Sequence, residues 1–205
     1  MSEFLQHDDA RKNRILEAAL IEFSDKGYKK ASTNTIVREA KVSKGLLFHY
    51  FISKKELYIH IYNYALDTIT NELYEGVNFA DKDVLSRLYA STLQKIESYS
   101  NHDLFTSLFE KHIDVEDEEI LLRTQQSSVQ YSIDSYKKLF SDIDYFLFNE
   151  KVNIDRGLDV VKWTIDRISA DWVRKHGNVY KLQAFDELRE EIEIFLDLFR
   201  DAFYK

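Results

Sequence analysis

The chain contains no cysteine, which excludes disulfides, thiolate zinc sites and a cysteine nucleophile, and fits a reducing compartment. Proline is also absent, and glycine occurs only as Gly27, Gly45, Gly76, Gly157 and Gly177. The two residues that most often interrupt helices are therefore scarce throughout, and an all-α fold is the simplest expectation. No stretch approaches the ~18 consecutive apolar residues of a membrane helix. The opening segment MSEFLQHDDARKNR carries acids where a signal peptide needs an apolar core, so a soluble, cytoplasmic protein without membrane association is expected.

What the chain does have is apolar material for a core, 44% hydrophobic and 14% aromatic, and 31% charged residues that read as solvated helix surface. The net charge of -8 argues against nucleic acid, whose phosphates demand a cationic surface. The average conceals a local excess. From Lys26 to Lys55 there are eight cations (Lys26, Lys29, Lys30, Arg38, Lys41, Lys44, Lys54, Lys55) against one acid, Glu39. That segment carries +7 and leaves -15 for the rest, a basic head on an acidic body. Lysines decorating a solvated face would give the same count, so spacing has to decide.

After Asp8 or Asp9 as a cap, Ile15, Leu16, Ala19, Leu20 and Phe23 recur at three- and four-residue steps, an amphipathic helix that should stop near Lys26-Gly27. Ser32 or Thr33 caps a short second helix with Ile36, Val37 and Ala40 inward. Lys41-Val42-Ser43 makes a tight turn, and Ser43 caps a third helix whose Leu47 and Phe51 face the first two. Lys44, Gly45, Leu46, Phe48 and His49 are left outward. Ser53-Lys54-Lys55-Glu56 reads as a capping box opening a fourth helix. Two short helices across a tight turn, the second presenting small, basic and aromatic side chains, suit a DNA major groove.

The run TNTIVREAKVSKGLLFHYFISKKELY resembles the DNA-binding signature of the TetR repressor family. That resemblance implies phosphate contacts at Thr33, Tyr50 and Lys54, and recognition-helix positions approaching bases or backbone at Ser43, Lys44, Gly45, Leu46, Phe48 and His49. Two residues depart from the pattern. Lys41 stands where the family usually has a left-handed turn glycine; keeping that geometry costs ~1 kcal/mol, while the added cation is itself a candidate DNA contact. Phe48 replaces the usual tyrosine and removes a hydroxyl, leaving a ring to pack on sugar or a thymine methyl.

Beyond the head, a long fourth helix runs from Ser53 to about Glu75, with Gly76 at its end. Further helices are expected at 83–99, 102–113, 116 to about 143, 154–176 and 182–204, with Gly177-Asn178 as a stop. The expectation is about nine helices, divided into a helix-turn-helix DNA-binding domain (1–52) and a ligand-binding and dimerisation domain (53–205). Heptad-like seams occupy the last two helices: Ile154, Leu158, Val161, Ile165, Ile168, Trp172, and Phe185, Leu188, Ile192, Phe195, Phe199, Ala202. The extra apolar residues Ile194, Leu198 and Phe203 point to a second buried face and a homodimer. In the family these two helices form a four-helix bundle across a two-fold axis, matching two recognition helices to a palindrome.

Thr124 to Ile133, TQQSSVQYSI, is ten residues without a charge. Such polar side chains persist in a surrounded helix when neighbouring helices, water or a ligand satisfy them. We expect the stretch to line an inducer cavity, with Gln125 and Ser128 as polar anchors and Phe105, Phe109, Tyr131 and Trp163 as aromatic wall. An enzyme reading lacks a convergent nucleophile and base, and no cofactor is expected. Asp114, Glu116, Asp117, Glu118 and Glu119 suit a helix start, and His102 and His112 lack the i, i+4 spacing of a helical metal site. The combined expectation is a ligand-responsive repressor on a palindromic DNA operator, released by a small-molecule inducer. A helical protein-protein adaptor is the alternative, separated from it by salt-dependent DNA binding.

Overall fold

The computed structural model describes residues 10–176 and 182–205. The expected cap at Asp8 or Asp9 and the expected stop at Gly177-Asn178 lie outside the described residues. Among those described, the chain forms nine α-helices: α1 (Ala10–Lys30), α2 (Thr33–Glu39), α3 (Lys44–Phe51), α4 (Lys54–Leu73), α5 (Val84–Asn101), α6 (Asp103–His112), α7 (Glu118–Leu139), α8 (Ile154–His176) and α9 (Leu182–Phe203). A 3-10 turn at Tyr145–Leu147 and an isolated backbone bridge between Phe148 and Tyr204 complete it. None of the described helices is long and apolar enough to cross a membrane.

Packing divides the chain into two units, with the division falling inside α4 and α7. The first holds α1 to α3, α4 as far as Thr68, α6, and α7 as far as Tyr131. Its core joins Ile15, Leu16, Ala19 and Phe23 of α1 to Ile36, Leu47, Leu57, Ile61, Leu108 and Ile120. α1 runs past the expected stop to Lys30, but its backbone breaks where the stop was expected, at Gly27, whose φ is 69°. L-residues rarely adopt that conformation, which glycine tolerates.

Ser32 caps α2 and Ser43 caps α3, their hydroxyls accepting from Thr35 N and Leu46 N. Between them Lys41 adopts φ 54°, so the left-handed turn is kept without glycine. Lys41 N donates to Arg38 O at 3.1 Å and Val42 N to Val37 O at 3.0 Å, the paired bonds of a Schellman closure. At the start of α4 only half of the expected capping box forms. Ser53 Oγ accepts from Glu56 N at 3.1 Å, but the Glu56 carboxylate turns away to Arg123, at 2.5 and 2.9 Å. A bidentate charged pair outcompetes one backbone N–H.

The second unit contains α5, α8, α9 and the remainders of α4 and α7. Leu158, Val161, Ile165, Ile168 and Trp172 of α8 meet Phe185, Leu188, Ile192 and Phe199 of α9 as the seams require. On α9 the fully buried residue is Leu196 rather than Phe195, and Ala202 is exposed. The 3.6-residue turn carries the stripe one place on from a strict heptad. α7 stops at Leu139 although apolar residues continue to Ile143. Its terminal carbonyls are taken by Arg87 of α5, 2% exposed. The guanidinium donates to Leu139 O (3.2 Å), Ser141 O (2.5 Å), Asp142 O (3.3 Å), Phe79 O (3.0 Å) and Asp81 O (2.6 Å), a cation where the helix dipole is negative.

Candidate nucleic-acid interface

α3 is short because a serine starts it and a strained residue ends it: Ile52 has φ 57° and is 80% exposed. Leu47 and Phe51 are buried, which turns the opposite face outward. On that face Ser43, Lys44, Gly45 and His49 are exposed, and Leu46, Phe48 and Tyr50 are half-buried. Lys44 Nζ donates to Asn34 Oδ1 of α2 at 3.1 Å and lies 6.0 Å from the Phe48 ring. His49 packs edge-on against Tyr50 at 5.6 Å. Lys41 is exposed in the turn and Thr33 is the first residue of α2.

Lys54, at the start of α4, is held by two groups that composition did not single out. Its ammonium lies 4.9 Å over the Tyr28 ring and donates to Lys29 O at 3.4 Å. Burial lowers its pKa from the ordinary lysine value, opposed by nearby Glu22. A lysine fixed in this way loses less side-chain freedom on meeting a phosphate than a solvated one. The run KGYKK (26–30) was legible as charge, yet nothing in its spacing announced that Tyr28 and Lys29 would position Lys54.

Among the expected inducer contacts, five belong to the first unit. Phe105 is buried, stacked on His102 at 4.9 Å and edge-on to Tyr64 at 5.7 Å. Phe109 and Ser128 both reach Tyr62 of α4, the ring at 5.3 Å and the hydroxyl at 3.5 Å. Tyr131 donates to Asp67 at 3.2 Å, and Gln125 is exposed. Trp163 belongs to α8 in the second unit and is 60% exposed.

Much of the polarity of the uncharged stretch turns toward α4 and α6. Thr124 is 1% exposed; its hydroxyl donates to Ile120 O at 2.8 Å and lies 3.0 Å from His112 Nε2. His112 Nδ1 is 3.0 Å from the Tyr58 hydroxyl, and the His112 ring lies against those of Tyr58 and Tyr62. With the Thr124 proton committed to Ile120, Nε2 carries the imidazole proton and Nδ1 accepts from Tyr58. Burial holds His112 neutral, its pKa lowered to about 4. Sequence placed this histidine only among absent metal sites, and among the described residues no cluster of three His, Asp or Glu could hold a metal ion.

Residues 15–61 match the model of bacterial regulatory proteins, tetR family. That segment carries the tetR-family DNA-binding domain. The TetR-family match spans α1 beyond its first turn, both helices of the helix-turn-helix and the start of α4. YuxN of Bacillus subtilis, an uncharacterized HTH-type transcriptional regulator, is 32% identical over 136 residues, 62% of this chain but only 44% of YuxN; the chain thus spans less than half of that relative. IcaR of Staphylococcus aureus strain Newman, negative transcriptional regulator of the biofilm operon icaADBC, is 24% identical over 203 residues, 90% of this chain and 98% of IcaR. In fold, the chain is similar to the transcriptional regulator FadR from Bacillus subtilis in complex with stearoyl-CoA, with TM-score 0.63, 13% identity and coverage of 92% of this chain and 97% of FadR.

Proposed function

We propose that this TetR-family chain is a ligand-responsive transcriptional repressor that binds a palindromic DNA operator as a homodimer and leaves it when a small molecule binds. The observation that carries the reading is the outward face of α3, where Lys44, Gly45, Leu46, Phe48 and His49 stand clear between two serine-capped helix starts. Lys44 and His49 reach base edges, while Thr33, Lys41, Ser43, Tyr50 and Lys54 meet backbone phosphate. Residues 1–52 form the reading head and 53–205 the ligand-binding and dimerisation part.

Dimerisation through α8 and α9 is supported by apolar side chains left open on both. Val160 and Trp163 of α8 are 40% and 60% exposed, and Ile194 and Leu198 of α9 are 68% and 56% exposed. Apolar exposure on helices whose other faces are already packed marks an interaction surface. Trp163 is assigned here to the dimer contact. Phe105, Phe109, Gln125, Ser128 and Tyr131 are the inducer contacts, and FadR's complex with stearoyl-CoA supports ligand response in this fold. The inducer needs only ~1 to 3 kcal/mol of differential affinity between head positions, conveyed along α4.

The test is selection of genomic fragments with purified protein, followed by binding across a salt series for Lys54→Ala and His49→Ala. A palindrome is expected. The first substitution weakens binding to all sequences and flattens the salt dependence, and the second costs ~1 to 3 kcal/mol of base discrimination. A protein without salt-sensitive DNA binding would instead be a helical adaptor for other proteins.

A further inference from the structure

We infer that the first unit contains an anion site, formed where α1 kinks beside the end of α6, that accepts a phosphate group. A cleft of about 510 Å³ opens there, with Lys26, Lys29, Lys30 and Lys111 among its lining and Asp114 and Glu116 as its acids. Four cations against two acids give the lining a net charge of +2. The backbone break at Gly27 shapes the cleft: Lys111 lies alongside, its Cβ 3.5 Å from where a Cβ on Gly27 would stand.

The pairing of these lysines separates the cleft from an ordinary solvated face. Lys30 and Lys111, both exposed, make no ion pair among the described residues. Lys26 is paired with Asp25 at 2.6 Å and Lys29 with Glu116 at 3.0 Å, and both pairs are open to solvent. Exposed pairs of this kind contribute little, so a multiply charged anion draws all four ammonium groups at small cost and relieves their mutual repulsion. Lysine acts as a point charge toward phosphate, while Tyr28 and the 69% exposed Ile113 give the cleft an apolar wall for the organic part of a phosphate ester. The site also adjoins the reading head. Lys29 O holds Lys54, and the chain beyond Lys30 passes straight into Ser32-capped α2.

The phosphate has two possible sources, a free phosphorylated small molecule or the backbone of DNA flanking the operator. Isothermal titration of the full chain with pyrophosphate at fixed ionic strength separates them from each other and from the DNA-binding reading above. The variant is Lys30→Ala with Lys111→Ala; the charge-matched control is Lys137→Ala with Lys151→Ala, exposed positions of the second unit. Saturable binding of pyrophosphate, about tenfold weaker in the variant and unchanged in the control, establishes the site and a free ligand. Absence of pyrophosphate binding, with a loss of non-specific duplex affinity and a shallower salt slope in the variant but not the control, assigns the site to DNA phosphate. Equal behaviour of variant and control in both measurements overturns the inference.

Discussion

In the first unit, the side chains of α3 take their direction from devices within a few residues: two serine caps, a left-handed lysine and the i, i+4 pair Leu47 and Phe51. In the second, the most heavily bonded side chain is Arg87, concealed from solvent and committed to carbonyls as far as 55 positions away in sequence. The α3 face is specified locally and displays its chemistry; the Arg87 cluster is specified at long range and hides it. If α3 reads DNA as proposed, recognition and stability rest largely on different residues, and substitutions should separate them.

The largest expected effect is on stability. Arg87→Met removes the donor to five carbonyls and should cost about 3–5 kcal/mol in urea unfolding, since a carbonyl left unpaired away from water costs about 1–3 kcal/mol and only some of the five lose all access to water. Arg87→Lys should recover only part, since an ammonium has three donors and no fork. Loss of less than 1 kcal/mol in the methionine variant would mean that water replaces the guanidinium. Next in size, Ile194→Glu with Leu198→Glu should break the proposed dimer into monomers in sedimentation velocity at micromolar protein with little change in helicity. A double variant that still sediments as a dimer would move self-association to another surface.

How far the comparison could be anticipated follows from the same distinction. Ser43 and the bounds of α8 and α9 are local or periodic features that the residues alone announce, while for α2 they left Ser32 and Thr33 open and the structure gives Ser32 as the cap. The end of α7 was not legible, because Phe140 and Ile143 continue its apolar period and only the fold delivers Arg87 to its last carbonyls. Nor was the half-formed capping box, since Arg123 stands 67 residues from Glu56. For the stretch 124–133 the lack of charge was visible, but its cause was not. Ser128 and Tyr131 meet Tyr62 and Asp67 of α4, and Thr124 meets His112, whereas Val129 is 52% exposed.

His112 gives a smaller, pH-dependent effect. Its imidazole titrates near 6.5 when unfolded and at about 4 when folded, so the unfolded chain binds more protons between those values. The stability this group contributes is complete above about 6.5 and is lost as pH falls toward 4, by roughly 1–2 kcal/mol once its partial exposure is allowed for. His112→Leu should flatten the profile of melting temperature against pH in that window. His60, also lowered by burial, leaves a residual slope in both proteins, so the difference between them isolates His112. The smallest expected effect comes from the two positive-φ residues that bracket α3, Lys41 and Ile52. Lys41→Gly and Ile52→Gly should each raise stability by about 1 kcal/mol in thermal unfolding. A drop in DNA affinity for the first alone would identify Lys41 as a contact.

The buried imidazole also makes the protein its own spectroscopic probe. The Nε2 proton of this half-buried ring is donated to the buried Thr124 hydroxyl, with Tyr58 on the other side of the ring, so its exchange with solvent slows while that α6–α7 hydrogen bond holds. Its NMR resonance and exchange rate would therefore report, without a dye or label, whether DNA tightens that junction and whether an effector loosens it.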